Sequence, residues 1–302
     1  MNEVLQNLKR IVCLSLCLFL LQTAQAQFSL VKDINTIGGG SSSPQNFAIM
    51  GSYTYFAADD AGHGSELWRT DGTLAGTTLV ADINPGPGAS APTNLCVVGS
   101  TLYFSANDGT NGAELWKSDG TAGGTSLVKD INSGATGSSP TSLCNGNGTL
   151  FFAATDGTNG IELWKSDGTS GGTVLVKDIN TGATSSSPTL ITALGSIVLF
   201  DATDATHGTE IWKSDGTSGG TVLVKDLDPV QSGTTTPLPS DFVVLGSYMY
   251  FFGFDPATTN SYGFPGRNLM RTDGTAANTV AVYQPYMVGS HLLRSRQSPS
   301  AA

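Results

Sequence analysis

The chain has 302 residues, with 24 acidic side chains against 14 basic ones and a net charge of −10 at neutral pH. Such a surface repels phosphate, which argues against nucleic acid and anionic membranes as partners. The 38 glycines argue against a helical repeat, because glycine costs about 1 kcal/mol per helix position relative to alanine.

The first element is a targeting segment over residues 1–26, expected as a signal helix. Lys9 and Arg10 form a positive n-region, and Ile11 to Leu21 is an apolar h-region broken only by Ser15. Ala24-Gln25-Ala26 places small residues at −3 and −1, so cleavage is expected before Gln27. The apolar stretch is about half of the ~20 residues needed to cross a bilayer, so no membrane insertion is expected after cleavage. Cys17 follows Leu16 rather than a small residue, which argues against lipid attachment. Localisation is therefore expected to be secreted, periplasmic or at the cell surface. Cleavage removes one acid and two bases and leaves 23 acidic against 12 basic residues, a charge of −11.

Beyond it lies a repeat domain over 27–285. It opens on Leu30-Val31-Lys32-Asp33-Ile34, a strand-like segment that returns at 79–83, 127–131, 175–179 and 223–227. Before each return stands a signature: Glu66-Leu67-Trp68-Arg69-Thr70-Asp71-Gly72-Thr73, and its equivalents at 114–121, 162–169 and 210–217. Trp68, Trp116, Trp164 and Trp212 are spaced 48 residues apart, and a decayed fifth copy runs from Asn268 to Thr275 with Met270 in place of Trp. Within the second unit, alternation and turn residues predict strands over 92–98, 101–106, 113–118 and 126–131. Leu102 and Phe104 share one strand face and Tyr103 takes the other. Four short strands per ~45-residue repeat match a propeller blade, whereas a β-helix repeats on a shorter period. The fold class is thus all-β, a β-propeller of about five four-stranded blades. Residues 286–302 are expected to be a disordered tail.

Five in-phase signatures make the chain similar to the ELWxxDGT-type repeat proteins, an exported bacterial family of mostly unknown role. The resemblance covers nearly all of 28–283 and implies export. Many members carry a C-terminal sorting domain that attaches them to the cell surface; residues 286–302 do not show its pattern.

The signature residues read as structural. In each Asp-Gly-Thr the Asp (Asp71, Asp119, Asp167, Asp215, Asp273) accepts from the backbone two residues on, and Gly takes positive φ. Each Trp fills the gap between twisted blades. Glu66, Glu114, Glu162 and Glu210 recur once per unit, unlike a catalytic pair with two tunings, and are expected to pair with Lys129, Lys177 or Lys225. Asp60, Asp108, Asp156 and Asp204 occupy the turn between strands two and three. An Asx-turn is the favoured reading there, and a Ca²⁺ site the weaker one, since each turn offers a single carboxylate. His63 and His207 share a position with Asn111 and Asn159, which points to a residue tolerating positive φ rather than to a metal. Cys96 and Cys144 stand at equivalent points of adjacent units. They are expected as buried free thiols, since a disulfide needs Cα atoms about 5.5 Å apart.

Function is expected where one unit departs from the rest. From Phe104 to Trp116 is 12 residues, whereas Phe251 to Met270 is 19, and the connection 228–240 is also longer than its counterparts. The enlarged loop carries Phe254, Asp255, Asn260, Tyr262, Phe264 and Arg267, a mix suited to a glycan or protein ligand. The competing reading is a terminal repeat decayed into a cap. The segment 29–34 is expected as a strand that fastens the ring on the last blade, unless the chain belongs to a longer propeller. No nucleophile elbow, zincin or phosphate-loop motif occurs. A non-enzymatic binding or scaffold module without cofactor is therefore the first reading, and an extracellular glycan-active hydrolase or lyase the second.

Overall fold

The computed structural model describes residues 29–37, 40–227, 239–259 and 265–283, with side chains of 255–259 and 265–267 excepted. It comprises two compact units, 1–33 and 34–302. In the first, the described residues 29–33 form no strand.

The second unit is all-β. Among the described residues, twenty strands make five four-stranded antiparallel sheets, each a simple meander in chain order. Blade one is β1 (Gln45–Met50), β2 (Tyr53–Asp59), β3 (Ser65–Thr70) and β4 (Thr78–Ala81). Blade two is β5 (Thr93–Val98), β6 (Thr101–Asn107), β7 (Ala113–Ser118) and β8 (Ser126–Lys129). Blade three is β9 (Thr141–Gly146), β10 (Thr149–Thr155), β11 (Ile161–Ser166) and β12 (Val174–Lys177). Blade four is β13 (Thr189–Leu194), β14 (Ile197–Asp204), β15 (Gly208–Ser214) and β16 (Val222–Lys225). Blade five is β17 (Ser240–Leu245), β18 (Tyr248–Thr259), β19 (Pro265–Thr272) and β20 (Val280–Tyr283). The propeller architecture expected from the 48-residue spacing is present.

Each first strand carries a bulge at the same place, between Gln45 and Ala48 in blade one and between Thr189 and Thr192 in blade four. The bulged residue is left-handed in all five blades: Asn46, Asn94, Ser142, Leu190 and Asp241 have φ between 53° and 59°. Asn46 and Asn94 use this to donate to the carbonyls of Pro92 and Pro140 in the next blade. Innermost strands run beside one another in the order β1, β5, β9, β13, β17, while β17 and β1 are not neighbours in this way.

Strand alternation gives every blade two apolar faces. The trailing face of blade one (Met50, Tyr55, Leu67, Val80, Ile83) packs on the leading face of blade two (Leu102, Phe104, Ala106, Trp116). The same pairing joins the later blades. Each Trp thus sits on a leading face, where Lys129 and Lys177 place their ammonium groups over the rings of Trp164 and Trp212 in the next blade.

Backbone carbonyls tie the blades further. Arg69 donates to the Gly120 carbonyl at 2.8 Å, and Lys117, Lys165 and Lys213 do likewise to Gly168, Gly216 and Gly274. These are the Asp-Gly-Thr glycines, so the conserved-looking turn is also an inter-blade acceptor. Lys129, Lys177 and Lys225 donate to Thr173, Thr221 and Thr279 of the following blade. The expected Glu–Lys pairing is therefore incorrect: these lysines point forward to the next blade, away from the glutamate of their own.

The fourth strands of blades one to four end at Ala81, Lys129, Lys177 and Lys225, before an Asp-Ile dipeptide or, in blade four, Asp226-Leu227. Ile83 and its equivalents leave the sheet to cover the next leading face. Ile34 does the same against Phe56, Ala58 and Trp68. The opening copy at 29–34 is thus no strand, contrary to expectation.

Candidate functional site

One face of the unit is built from turns between second and third strands, together with the blade-to-blade connections. The turn Asp108 to Gly112 shows its construction. Asp108 Oδ1 accepts from the N–H groups of Thr110 and Asn111, and its Oδ2 accepts from Asn111 Nδ2 at 2.8 Å. Asp156 and Asn159 repeat this. Asp60 and Asp204 do the same with histidine, whose Nδ1 lies 2.8 Å from Oδ2. Positive φ falls on the following glycine (Gly64, Gly112, Gly160, Gly208), not on His or Asn. The shared requirement at that position is a side-chain N–H donor to the turn carboxylate, which corrects the backbone reading of the histidines.

Burial works against ionisation of Asp60, but hydrogen bonds from His63 and Gly62 outweigh it and hold its pKa below the ordinary value. The same bond to Asp60 raises the pKa of His63. Asp108, Asp156 and Asp204 are lowered likewise. Both oxygens of each turn carboxylate are thereby engaged within its own loop. Among the described residues no group of three or more His, Cys, Asp or Glu is placed to hold a metal ion.

Beneath these turns lie the glutamates of the signature, all buried. Glu66 accepts from the N–H groups of Ile83, Asn84 and Ser90 and from the Ser90 hydroxyl. Glu114 takes Ile131, Asn132 and Ser138 in the same way, and Glu162 takes Ile179 and Ser186. Each carboxylate thus ties its blade to the connection leading to the next. Burial raises the pKa of Glu66, Glu114 and Glu162 despite these donors.

On the opposite face, Asp71 accepts from the N–H and hydroxyl of Thr73, and Asp119, Asp167, Asp215 and Asp273 do the same with their threonines. Gly72, Gly120, Gly168, Gly216 and Gly274 have φ of 86–93°. Trp164 and Trp212 are buried and Trp116 is half-buried in the inter-blade cores, while Trp68 is buried with Phe56 and Ala58 beside Ile34.

Unit five departs differently from expectation. The added residues lengthen a hairpin rather than a loop: β18 extends to Thr259 and β19 begins at Pro265, with Thr259 opposite Pro265. Phe254 is buried and lies opposite Arg267 in the ladder, and Asp255 is on β18. Asn260, Tyr262 and Phe264 lie outside the described residues, as does the segment 228–238.

Sequence reasoning missed Asp201. It is buried in β14, accepts a 2.5 Å hydrogen bond from Thr189, and burial raises its pKa. Ala57, Ser105 and Ala153 hold the equivalent ladder positions opposite Leu67, Leu115 and Leu163. A carboxylate where three units have a small residue is a legible signal when units are compared column by column. Cys96 and Cys144 are free, as expected, but half-buried rather than buried, and burial pushes the Cys96 thiol up to about 11.

No protein-family model matches the chain, and no curated protein matches its sequence. Among solved structures it is similar to puromycin hydrolase, with 13% identity and a TM-score of 0.53 over 85% of this chain and 40% of that one. The S511A mutant of puromycin hydrolase complexed with PGG gives 12% identity and 0.51, over 80% and 37%. TolB from Acinetobacter baumannii gives 13% identity and 0.44, over 77% and 53%. The chain spans from 37% to 53% of the length of these proteins. At such identities the likeness to the two hydrolase structures speaks for the propeller fold alone.

Proposed function

We propose that the chain is an exported ELWxxDGT-type repeat protein acting as a non-enzymatic binding or scaffold module, with a glycan or protein ligand received on the unit-five hairpin. One observation carries this reading. The recurrent carboxylates of the turns and signatures are engaged in hydrogen bonds that build the blades, which supports a structural rather than a reacting role for the repeated motif. The added length at 254–267 is confined to one blade and extends the second-to-third-strand hairpin beyond its neighbours. Export rests on the n-region, h-region and Ala24-Gln25-Ala26 of the sequence.

The test is a glycan array and a protein-capture screen on residues 27–302, run beside a hydrolysis and lyase assay on the same glycans. Binding without bond cleavage, lost in Tyr262→Ala and Arg267→Ala, is the expected result. Turnover of any glycan, or binding that both variants leave intact, overturns the reading.

A further inference from the structure

The four interfaces between blades share one design, and the leading face of blade one and the trailing face of blade five are its unmatched halves. In the interior, a trailing face brings apolar side chains and a cationic donor, joined in blades two to four by the lysine that ends the fourth strand, and the next leading face brings apolar side chains and the carbonyl of its Asp-Gly-Thr glycine.

Blade five keeps the apolar row and the arginine of the trailing half, with Tyr283 where blades two to four have Lys129, Lys177 and Lys225. Val282 is 47% exposed, whereas Val80, Val128, Val176 and Val224 at the same position are 5–6% exposed beneath the next blade. Leu245 is 69% exposed where Met50 is 9% and Leu194 8%, and Val243 is 61% exposed. Arg271 stands where Arg69 stands. Its guanidinium lies 4.7 Å over the Tyr248 ring, as that of Arg69 lies 4.5 Å over Tyr53. Arg69 then donates through Nη1 to Gly120, whereas among the described residues no carbonyl accepts from the Arg271 guanidinium.

Blade one keeps the leading half. Phe47 and Ile49 are 62% and 74% exposed, although their counterparts Leu95 and Val97 pack against the preceding blade. A Cβ on Gly120 or Gly168 would meet the Tyr55 or Tyr103 hydroxyl of the blade before, whereas one on Gly72 meets nothing within 4 Å. Among the described residues no lysine or arginine side chain donates to the Gly72 carbonyl. The outer part of this face is covered by Ile34, in the role that Ile83 plays for blade two. The matching position of unit five is Pro285 in the sequence, so Ile34 supplies a contact that an incoming blade five would lack.

We infer that the trailing face of blade five docks on the leading face of blade one in a second copy of this chain, with Arg271 donating to Gly72. A second copy is the fitting occupant because it carries the missing half residue for residue, acceptor to donor and apolar row to apolar row. Joints of this kind are head-to-tail, so they close into a ring or continue as a filament according to the rotation between copies.

Sedimentation velocity on residues 27–302 over a wide micromolar range tests it, with Val243→Asp/Leu245→Asp as a trailing-face variant and Phe47→Asp/Ile49→Asp as a leading-face variant. All four positions are exposed in the single chain, and thermal melts verify that both variants fold. The wild type is expected to self-associate with rising concentration, and each variant alone to be monomeric. An equimolar mixture of the two retains one good face from each and is expected to form a 1:1 dimer. A wild type that stays monomeric throughout overturns the inference, as does a mixture that fails to associate. A disulfide formed within one chain of a Phe47→Cys/Val243→Cys variant overturns it too, by showing that the two faces meet in cis.

Discussion

Replacing Glu114 tests whether the signature glutamates are fastenings rather than chemistry. In the folded chain its carboxylate accepts from Ile131 N–H at 3.1 Å, Asn132 N–H at 3.1 Å, Ser138 N–H at 2.8 Å and the Ser138 hydroxyl. The residue is fully buried, so Glu114→Ala leaves three N–H groups and a hydroxyl facing a space without an acceptor. Bonds to charged groups are worth about 1.5–3 kcal/mol each, and a stranded buried donor costs about 1–3 kcal/mol. These costs do not add, because water enters and the connection relaxes; about 3–5 kcal/mol is the expected loss, at the upper end of single substitutions. Glu114→Gln keeps the shape and one acceptor oxygen. The Ser138 hydroxyl can reverse to accept from the new amide, leaving one N–H opposed by an N–H and a loss of about 1–3 kcal/mol. Urea unfolding followed by tryptophan fluorescence gives the totals. Repeat arrays can lose two-state behaviour, so amide exchange over 131–138 should report the local loss as well. An alanine variant within about 0.5 kcal/mol of wild type would refute the fastening role.

Four further outcomes follow from the same geometry. Stability should peak at mildly acidic pH. Burial raises the pKa of Glu66, Glu114 and Glu162, so their contribution is full below the ordinary 4.5 and is lost as pH rises through the folded values. The raised His63 and His207 act in the same direction above 6.5, whereas the lowered aspartates contribute above 3.8 and are lost as pH falls through theirs. A melting temperature that peaks at or above pH 7 would contradict this balance. Gly168→Ala should cost about 2–3 kcal/mol and Gly72→Ala about 1 kcal/mol, since both have left-handed φ but only the first drives a Cβ to 2.3 Å from the Tyr103 hydroxyl; equal costs in denaturant melts would dismiss the inter-blade contact. Leu190→Asn should stabilise by about 0.5–1 kcal/mol, because Leu190 holds φ 53° where Asn46 and Asn94 adopt the same conformation more readily; a lowered unfolding midpoint would count against the strain. Asn111→His should leave the melting temperature unchanged, while Asn111→Ala should cost about 1 kcal/mol through the lost bond to Asp108; equal effects would show that the donor is not what the position requires.

Much of the blade was legible because its signals are local. Period-two alternation and turn residues located β6 and β7 to within a residue, and the Asp-Gly-Thr chemistry follows from two residue types. What could not be read were partners chosen across blades. Glu114 and Lys129 look like a pair in a linear reading, yet the bulge between Leu115 and Trp116 and the exit of the chain after Lys129 send them in different directions. His63 and Asn111 share a column, but only the turn geometry shows that the shared property is an N–H aimed at an aspartate. Asp201 was visible as a column outlier, and its burial against Thr189 depends on a register that alternation alone does not give. The extended hairpin of unit five escaped notice because Gly253, Pro256 and Gly266 are turn-forming residues, while the pairing continues through Thr259 and Pro265.

That hairpin bears on whether unit five is a decayed cap. Terminal repeats that cap an array turn a polar outer face to solvent. Unit five has lost its tryptophan, but Trp belongs to the leading face, and Met270 there is fully buried against Leu199 and Leu227 of blade four. The change therefore falls on an interface that is still made. On the outer side, where a cap would be polar, the unit retains Val243, Leu245, Tyr248 and Val282 and an arginine poised like Arg69. Decay on the covered side with retention on the open side is the reverse of capping. It places the constraint on blade five at its outward face, and it separates that face from the lengthened hairpin, which projects from the turn end of the same sheet. Two surfaces on one blade are thus available for two different tasks, association through its trailing face and recognition at its hairpin. The double aspartate at Val243 and Leu245 should abolish the first while leaving any ligand of Tyr262 and Arg267 bound. Loss of both together, measured by sedimentation and by ligand titration on one preparation, would show them to be a single site.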